Sequence, residues 1–123
     1  MSKKLLLVDD DILYLNALRE LIEAEGYSTQ ICSNVKEALI MQSKETFDII
    51  LTDIIMPEID GLEFIYQLKK NYPTTKVIAI TGGGVFHSMD LLLMAKELGA
   101  SMVLSKPFSF PLLKAQLKTL AVC

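Results

Sequence analysis

Histidine is almost missing from this chain: His87 is the only one among 123 residues. That removes conventional structural zinc sites and most histidine-based acid–base schemes. Cysteine is nearly as scarce. Cys32 and Cys123 show no C-x-x-C spacing, so they read as small hydrophobes or free thiols, not as a disulfide or a metal clip. Glycine and proline number six and four, too few for a fibrous or disordered chain. No segment approaches the roughly 20 apolar residues that a membrane span needs. The N-terminal Met1-Ser2-Lys3-Lys4 runs directly into apolar residues and then Asp9. A secretory leader would need a longer apolar region and a cleavage site, so a cytoplasmic chain is expected. Positive charge is not in excess either. The formal net charge is -3 with 12 Lys and Arg, which leaves room for a small basic patch but not for the broad footprint of a nucleic-acid-binding domain.

What remains is apolar sequence in short pieces. At 123 residues, 51% of them hydrophobic, the chain fits one domain over residues 1–123 with one core. Its organising stretch runs from Ile49 to Pro57: an apolar run ending on Asp53, with a proline close behind. Around it the pattern alternates. Residues 4–8 form a short apolar run stopped by Asp9, Asp10 and Asp11; Asp10 or Asp11 can cap the helix that follows. In that helix Leu15, Leu18, Leu21 and Ile22 share a face, and Gly26 ends it. Residues 27–32 read as a second strand, and Asn34-x-x-Glu37 has the form of a capping box before a helix with Val35, Ala38, Leu39 and Met41 inward.

Beyond Asp53, the segment Met56-Pro57-Glu58-Ile59-Asp60-Gly61 is a turn signal. A helix is expected over 62–70 with Leu62, Ile65, Tyr66 and Leu68 inward, then a strand over 77–80 leading to Thr81 and Gly82-Gly83-Gly84. A helix over 85–98 stops at Gly99, a strand covers 102–104, and Ser105-Lys106-Pro107-Phe108 forms its exit loop. Ser109 can cap the last helix, where Pro111 is tolerated in the first turn. Five strand–helix units of this length predict an α/β fold with a parallel sheet covered on both faces. Right-handed crossovers would bring the strand ends carrying Asp9, Asp53, Thr81 and Lys106 to one edge, the edge where open α/β sheets place ligands and chemistry.

Three carboxylates at one edge repel unless a cation neutralises them. A hard divalent ion with oxygen ligands is one solution, and Mg²⁺ uses one or two carboxylates together with a phosphate. The plainer reading of Asp9 to Asp11 is a solvated turn with a helix cap. Lys106 can pair with Asp53 and with phosphoryl oxygens, and a cis bond to Pro107 would aim its ammonium inward; alone, it would read as a lysine facing solvent. The Thr81 hydroxyl can bond a phosphoryl oxygen or merely cap the glycine loop.

Taken together these residues resemble the receiver domain of bacterial response regulators, the phosphoacceptor half of two-component signalling. The resemblance covers essentially the whole chain. It implies a doubly wound, flavodoxin-like (βα)5 three-layer sandwich with a five-stranded parallel sheet in the order 2-1-3-4-5. It implies that Asp9 and Asp10 are the acidic metal-binding pair, that Asp53 takes the phosphoryl group, and that the backbone carbonyl of Ile55 is a further metal ligand. Thr81 corresponds to the switch hydroxyl and Lys106 to the family's lysine. Met56-Pro57, Asp60-Gly61, Gly99-Ala100 and Lys106-Pro107-Phe108 match supporting motifs. The implied cofactor is Mg²⁺, with Mn²⁺ as a substitute. The implied partner is a sensor histidine kinase or phosphotransfer protein, which supplies the phosphohistidine.

The chain departs from that family in three places. Val103 stands where the family carries Tyr or Phe. The lead-in Gly82-Gly83-Gly84-Val85-Phe86 is longer than the common pattern, and its glycines make it an expected mobile loop. Ile55 and Gly83 occupy positions that influence how fast water reaches the acyl phosphate, so its lifetime is not foreseen. Competing functions are weaker. A phosphorylation-independent adaptor of the same fold would not need Asp10, Asp53 and Lys106 together. A haloacid-dehalogenase phosphatase would carry a second aspartate where Ile55 stands, and a flavodoxin would have a hydroxyl- and glycine-rich loop in place of Asp9-Asp10-Asp11. No output module is visible, so a free-standing receiver or one domain of a longer regulator is expected. On the helix over 85–98, Leu91, Leu92, Ala95 and Leu98 should cover the sheet, leaving Phe86, Met89 and Leu93 opposite. Either the helix begins later and Phe86 folds over the glycine loop, or Met89 and Leu93 belong to a docking or self-association surface made by the fourth helix, fifth strand and fifth helix.

Overall fold

The computed structural model describes residues 3–55, 61–82 and 88–121, with no account of the Ser88 and Met89 side chains. Its elements alternate: β1 (Lys4–Val8), α1 (Ile12–Glu23), β2 (Ser28–Cys32), α2 (Val35–Lys44), β3 (Ile49–Asp53), α3 (Gly61–Asn71), β4 (Lys76–Gly82), α4 (Ser88–Glu97), β5 (Met102–Lys106) and α5 (Phe110–Ala121). The five strands form one sheet in the order β2-β1-β3-β4-β5, and every pairing is parallel. The parallel α/β sheet is the one expected from the alternating pattern, and its doubly wound order is the one the family resemblance implied.

The period-two alternation of the strands divides the core into two layers. Leu6, Val8, Ile50, Val77 and Ala79 face one side, where Val35 and Ala38 of α2, Phe64, Ile65 and Leu68 of α3, and Leu92 and Ala95 of α4 cover them. Leu5, Leu7, Ile49, Leu51, Ile78, Ile80 and Leu104 face the other, under Leu15, Leu18 and Ile22 of α1 and Leu113, Leu117 and Leu120 of α5. All five residues of β3 are buried, as the central strand of a two-faced sheet requires.

Local signals decide where the helices begin. Asp11, not Asp10, caps α1, accepting a hydrogen bond from the Tyr14 amide at 3.1 Å. Asn34 caps α2 through the Glu37 amide at 2.8 Å, and Ser109 Oγ accepts from the Leu112 amide at 3.3 Å at the start of α5. Two strands run further than their apolar residues suggested. Parallel pairing continues through Thr81↔Ser105 and Gly82↔Lys106, because neighbouring strands still supply hydrogen-bond partners after the hydrophobic run has ended. Thr81 and Lys106 therefore lie inside β4 and β5, not in loops behind them. Sequence periodicity also placed Leu21 and Tyr66 inward, yet both are about half exposed, while Phe64 is fully buried. The expected contacts of Met56, Pro57, Asp60, the glycine-rich segment, Phe86, His87 and Met89 fall on residues or side chains outside the described ones.

Two glycines meet their neighbours closely. Gly99 has φ +119, a left-handed conformation, and the Lys69 side chain lies across it. Gly61 opens α3 directly against the backbone of Ile54, just after Asp53, and its amide donates to the Ile54 carbonyl at 3.2 Å. At the opposite edge of the sheet a buried polar cluster closes the core. Gln42 Nε2 donates to Thr75 Oγ1 at 2.9 Å, Thr75 Oγ1 donates to the Phe47 carbonyl at 3.0 Å, and the Phe47 amide donates to Gln42 Oε1 at 2.9 Å.

Candidate functional site

Asp53 ends β3 and Lys106 ends β5, and each continues a row of side chains facing α1 and α5: Ile49-Leu51-Asp53 and Met102-Leu104-Lys106. Asp9 and Asp10 follow β1 directly, before α1 begins at Ile12. The crossovers therefore bring all four residues to the carboxyl edge of the sheet. One carboxylate oxygen each from Asp9, Asp10 and Asp53 lie within 4.8 Å of one another.

Lys106 is the cation of this group, and its first partner is Asp9. Its ammonium donates to Asp9 Oδ2 at 2.8 Å and stands 3.7 Å from Asp53 Oδ2. The pairing expected with Asp53 is thus the longer of two. The other Asp9 oxygen, Oδ1, accepts the Asp11 amide at 3.0 Å. Asp53 Oδ1 accepts the Ile55 amide, also at 3.0 Å. Asp9 is 3% exposed and Asp53 9%, whereas Asp10 is open to solvent. The peptide bond between Lys106 and Pro107 is cis.

These environments shift the ionisable groups. Burial raises the Asp53 carboxyl above the usual carboxylate range; the Ile55 amide and the Lys106 charge pull it back, while Asp9 and Asp10 push it up. A hydrogen bond to Asp9 raises Asp10, with desolvation and the Asp9 charge adding to it. Burial works against the Lys106 charge, but the bond to Asp9 and the charges of Asp9 and Asp53 outweigh it and leave the lysine above its ordinary value. Displaced titration at a cleft of mutually facing charges is what sites that handle charge transfer show.

Thr81 is fully buried, and its hydroxyl has no hydrogen-bond partner among the described residues. A hydroxyl left so costs about 1–3 kcal/mol, which favours an acceptor arriving at that strand end. Ile55 lies at the site through its amide, with its side chain 41% exposed. Val103 is partly buried against the layer under α3 and α4. One member of the site had no sequence signal: the ring of Tyr14, on the first turns of α1, lies with its centroid 4.3 Å from the Lys106 ammonium. Helical spacing could have placed Tyr14 beside the site, three residues past its capping aspartate, but not beneath a particular lysine.

The donor set suits a divalent hard cation. Three carboxylates against one ammonium leave two negative charges uncompensated, and the oxygen donors are those Mg²⁺ prefers. Bound there, such an ion supplies charge neutralisation for phosphoryl oxygens. The chain's own residues provide a carboxylate at a strand end, an ammonium and a hydroxyl converging on one edge. Among the described residues no helix is long and apolar enough to cross a membrane.

A family model described as the response regulator receiver domain matches residues 5–118. The sporulation initiation phosphotransferase F of Bacillus subtilis is 35% identical over 108 residues, covering 88% of this chain and 85% of that protein. The transcriptional regulatory protein CrdR of Helicobacter pylori is 36% identical over 119 residues, covering 96% of this chain and 54% of the relative. The chain thus spans about half the length of several curated relatives. Among solved structures, a CheY-like response regulator receiver domain protein from Methanospirillum hungatei superposes with a TM-score of 0.88 at 30% identity, covering 98% and 95% of the two chains. The beryllofluoride-activated NtrC4 receiver domain dimer superposes with a TM-score of 0.87 at 32% identity, covering 95% and 94%.

Proposed function

The chain belongs to the family of response regulator receiver domains, and on that premise we propose that Asp53 is its phosphoacceptor, taking a phosphoryl group from a phosphohistidine of a sensor kinase or phosphotransfer protein. The observation that carries this reading is a buried strand-end carboxylate grouped with Asp9 and Asp10 and 3.7 Å from the Lys106 ammonium. The Asp53 oxygen attacks phosphorus in line; the P–N bond to the imidazole breaks as the O–P bond forms, and the partner's imidazole leaves. Lys106 attracts the transferring oxygens, and the Ile55 amide orients the nucleophile by holding Asp53 Oδ1. The Thr81 hydroxyl, without a hydrogen-bond partner among the described residues, donates to the phosphoryl group once it is in place. Water later attacks phosphorus, returning the carboxylate and inorganic phosphate.

Asp9, Asp10, Asp53 and the Ile55 carbonyl would hold Mg²⁺, with Mn²⁺ as the expected substitute since it shares the charge and oxygen preference. Residues 1–123 act as a single receiver domain in the cytoplasm, without direct nucleic-acid contact. Of the two residues expected on this surface, Met89 and Leu93, the exposed side of α4 carries Leu93 at 59% exposure, which supports self-association or target docking through α4, β5 and α5. Leu93→Lys should weaken association of the phosphorylated protein in light scattering without loss of the circular-dichroism spectrum.

The central experiment is intact-mass measurement after incubation with acetyl phosphate and Mg²⁺. One phosphoryl group should add about 80 Da, the increment of a single group at one nucleophile. Modification that persists in Asp53→Asn would overturn the assignment of the acceptor, a rate unchanged in EDTA would overturn the metal site, and a parent that takes up no phosphoryl group would leave a phosphorylation-independent adaptor as the better reading.

A further inference from the structure

We infer that Tyr14 is a positioning residue for phosphoryl transfer: its ring face holds the Lys106 ammonium at the site. The inference rests on the role proposed above for Lys106. The ring centroid lies 4.3 Å from Lys106 Nζ, well inside the 6 Å range over which an aromatic face attracts a cation. The ammonium also contacts Asp9 at 2.8 Å and Asp53 at 3.7 Å, so it is held between two carboxylates and one ring.

Why a ring matters here follows from what the carboxylates must do. Asp9 and Asp53 both have other work at this site, and each loses its hold on the lysine when its charge is used elsewhere. The attraction of the ring comes from its quadrupole and does not depend on either carboxylate. The ring is itself fixed. Tyr14, like Phe108 and Phe110, is partly buried against the core layer under α1 and α5. The same three aromatics, with Ala17, Leu18 and Leu21, line a cleft of about 250 Å³ between those helices. At the amino end of α1, the Tyr14 amide is bonded to Asp11 Oδ1 at 3.1 Å, which sets the backbone one turn from Asp10. A long, freely rotating lysine is thereby confined to the neighbourhood of the nucleophile, and misplacement of such a group is costly to a reaction.

The test uses the full chain, acetyl phosphate and Mg²⁺, with phosphorylation followed by intact mass. Tyr14→Phe keeps the ring face and should retain the parent rate. Tyr14→Leu keeps apolar bulk but loses the face, and should slow transfer about five- to tenfold, the size expected of one partly desolvated cation–π contact. In a Lys106→Ala background Tyr14→Leu should bring no further loss. A second readout is independent of rate: the Lys106 ε-methylene protons, shifted upfield by the ring in the parent and in Tyr14→Phe, should return to the ordinary lysine position in Tyr14→Leu. Equal slowing by Leu and Phe, a parental rate in Tyr14→Leu, the same further loss without Lys106, or lysine signals that do not move would each overturn the inference. If Lys106→Ala alone transfers at the parent rate, the failure lies with the role of the lysine and takes the inference down with it.

Discussion

Gly61 is the residue where a single methyl group should disturb both the fold and the site. An ideal Cβ at Gly61 would stand 2.7 Å from the Ile54 carbonyl oxygen and 2.8 Å from its carbonyl carbon, with the Ile54 Cα nearer still. All three are backbone atoms, so no side-chain rotation relieves the overlap. Either the start of α3 or the exit of β3 must move. Forced overpacking of this kind costs roughly 1–3 kcal/mol. Alanine's better helix propensity returns at most about 1 kcal/mol, and less at the first residue of a helix. Taking a net loss of about 1–2 kcal/mol and about 3–6 °C per kcal/mol for a domain of this size, the midpoint of Gly61→Ala should fall by about 3–12 °C. The second consequence is chemical. Ile54 joins Asp53 to Ile55, whose amide orients the Asp53 carboxylate at 3.0 Å, so phosphorylation should slow several-fold at temperatures where the variant is fully folded. Thermal circular dichroism and an intact-mass time course measure the two effects separately. A parental midpoint together with a parental rate would refute the reasoning, because it would mean that the backbone approach at Ile54 is not constraining.

At the far edge of the sheet, Gln42→Leu should destabilise by about 1–3 kcal/mol, since it leaves the buried Phe47 amide without its acceptor; phosphorylation of the folded protein should be unchanged, and urea denaturation with a rate assay checks both. Cys32 is 4% exposed and burial raises its thiol above the ordinary cysteine value, so in Cys123→Ser protein Ellman's reagent should label it slowly at neutral pH and rapidly in guanidinium. Fast labelling of the native protein would show that β2 opens readily at its end.

The alternation of strands and helices was legible in the sequence because short apolar runs and helical spacing are local properties, whereas the strand order was implied by the family resemblance. So were the caps: Asn34 and Glu37 announce a helix start three residues apart, and the amide of one meets the side chain of the other at 2.8 Å. Convergence of Asp9, Asp10 and Asp53 followed from crossover handedness and not from any local signal. What depends on packing between elements could not be read. The preference of Lys106 for Asp9 over Asp53 is a matter of an ångström, set by how β5 lies relative to β1 across the sheet. Gly61 looked like a turn glycine, but what requires glycine there is the backbone of Ile54, just past the end of β3. Gln42 is a polar residue without a sequence signal for burial, and its burial is made tolerable by Phe47 just beyond its helix and by Thr75, far along the chain. Phe64 is buried in the core layer that α2, α3 and α4 share on one face of the sheet.

Two successive amides after Asp53 have different kinds of partner. Ile54 N–H donates to the Ile80 carbonyl at 2.9 Å, extending the backbone pairing of β3 with β4, while Ile55 N–H donates to the Asp53 side chain at 3.0 Å. Isotope exchange at the first is governed by separation of central strands, and at the second by whatever happens to one carboxylate. The molecule therefore carries a reference and a sensor on adjacent nitrogens. In a heteronuclear spectrum the Ile55 resonance would report the covalent state of Asp53, with Ile54 beside it as an internal standard for the integrity of the sheet.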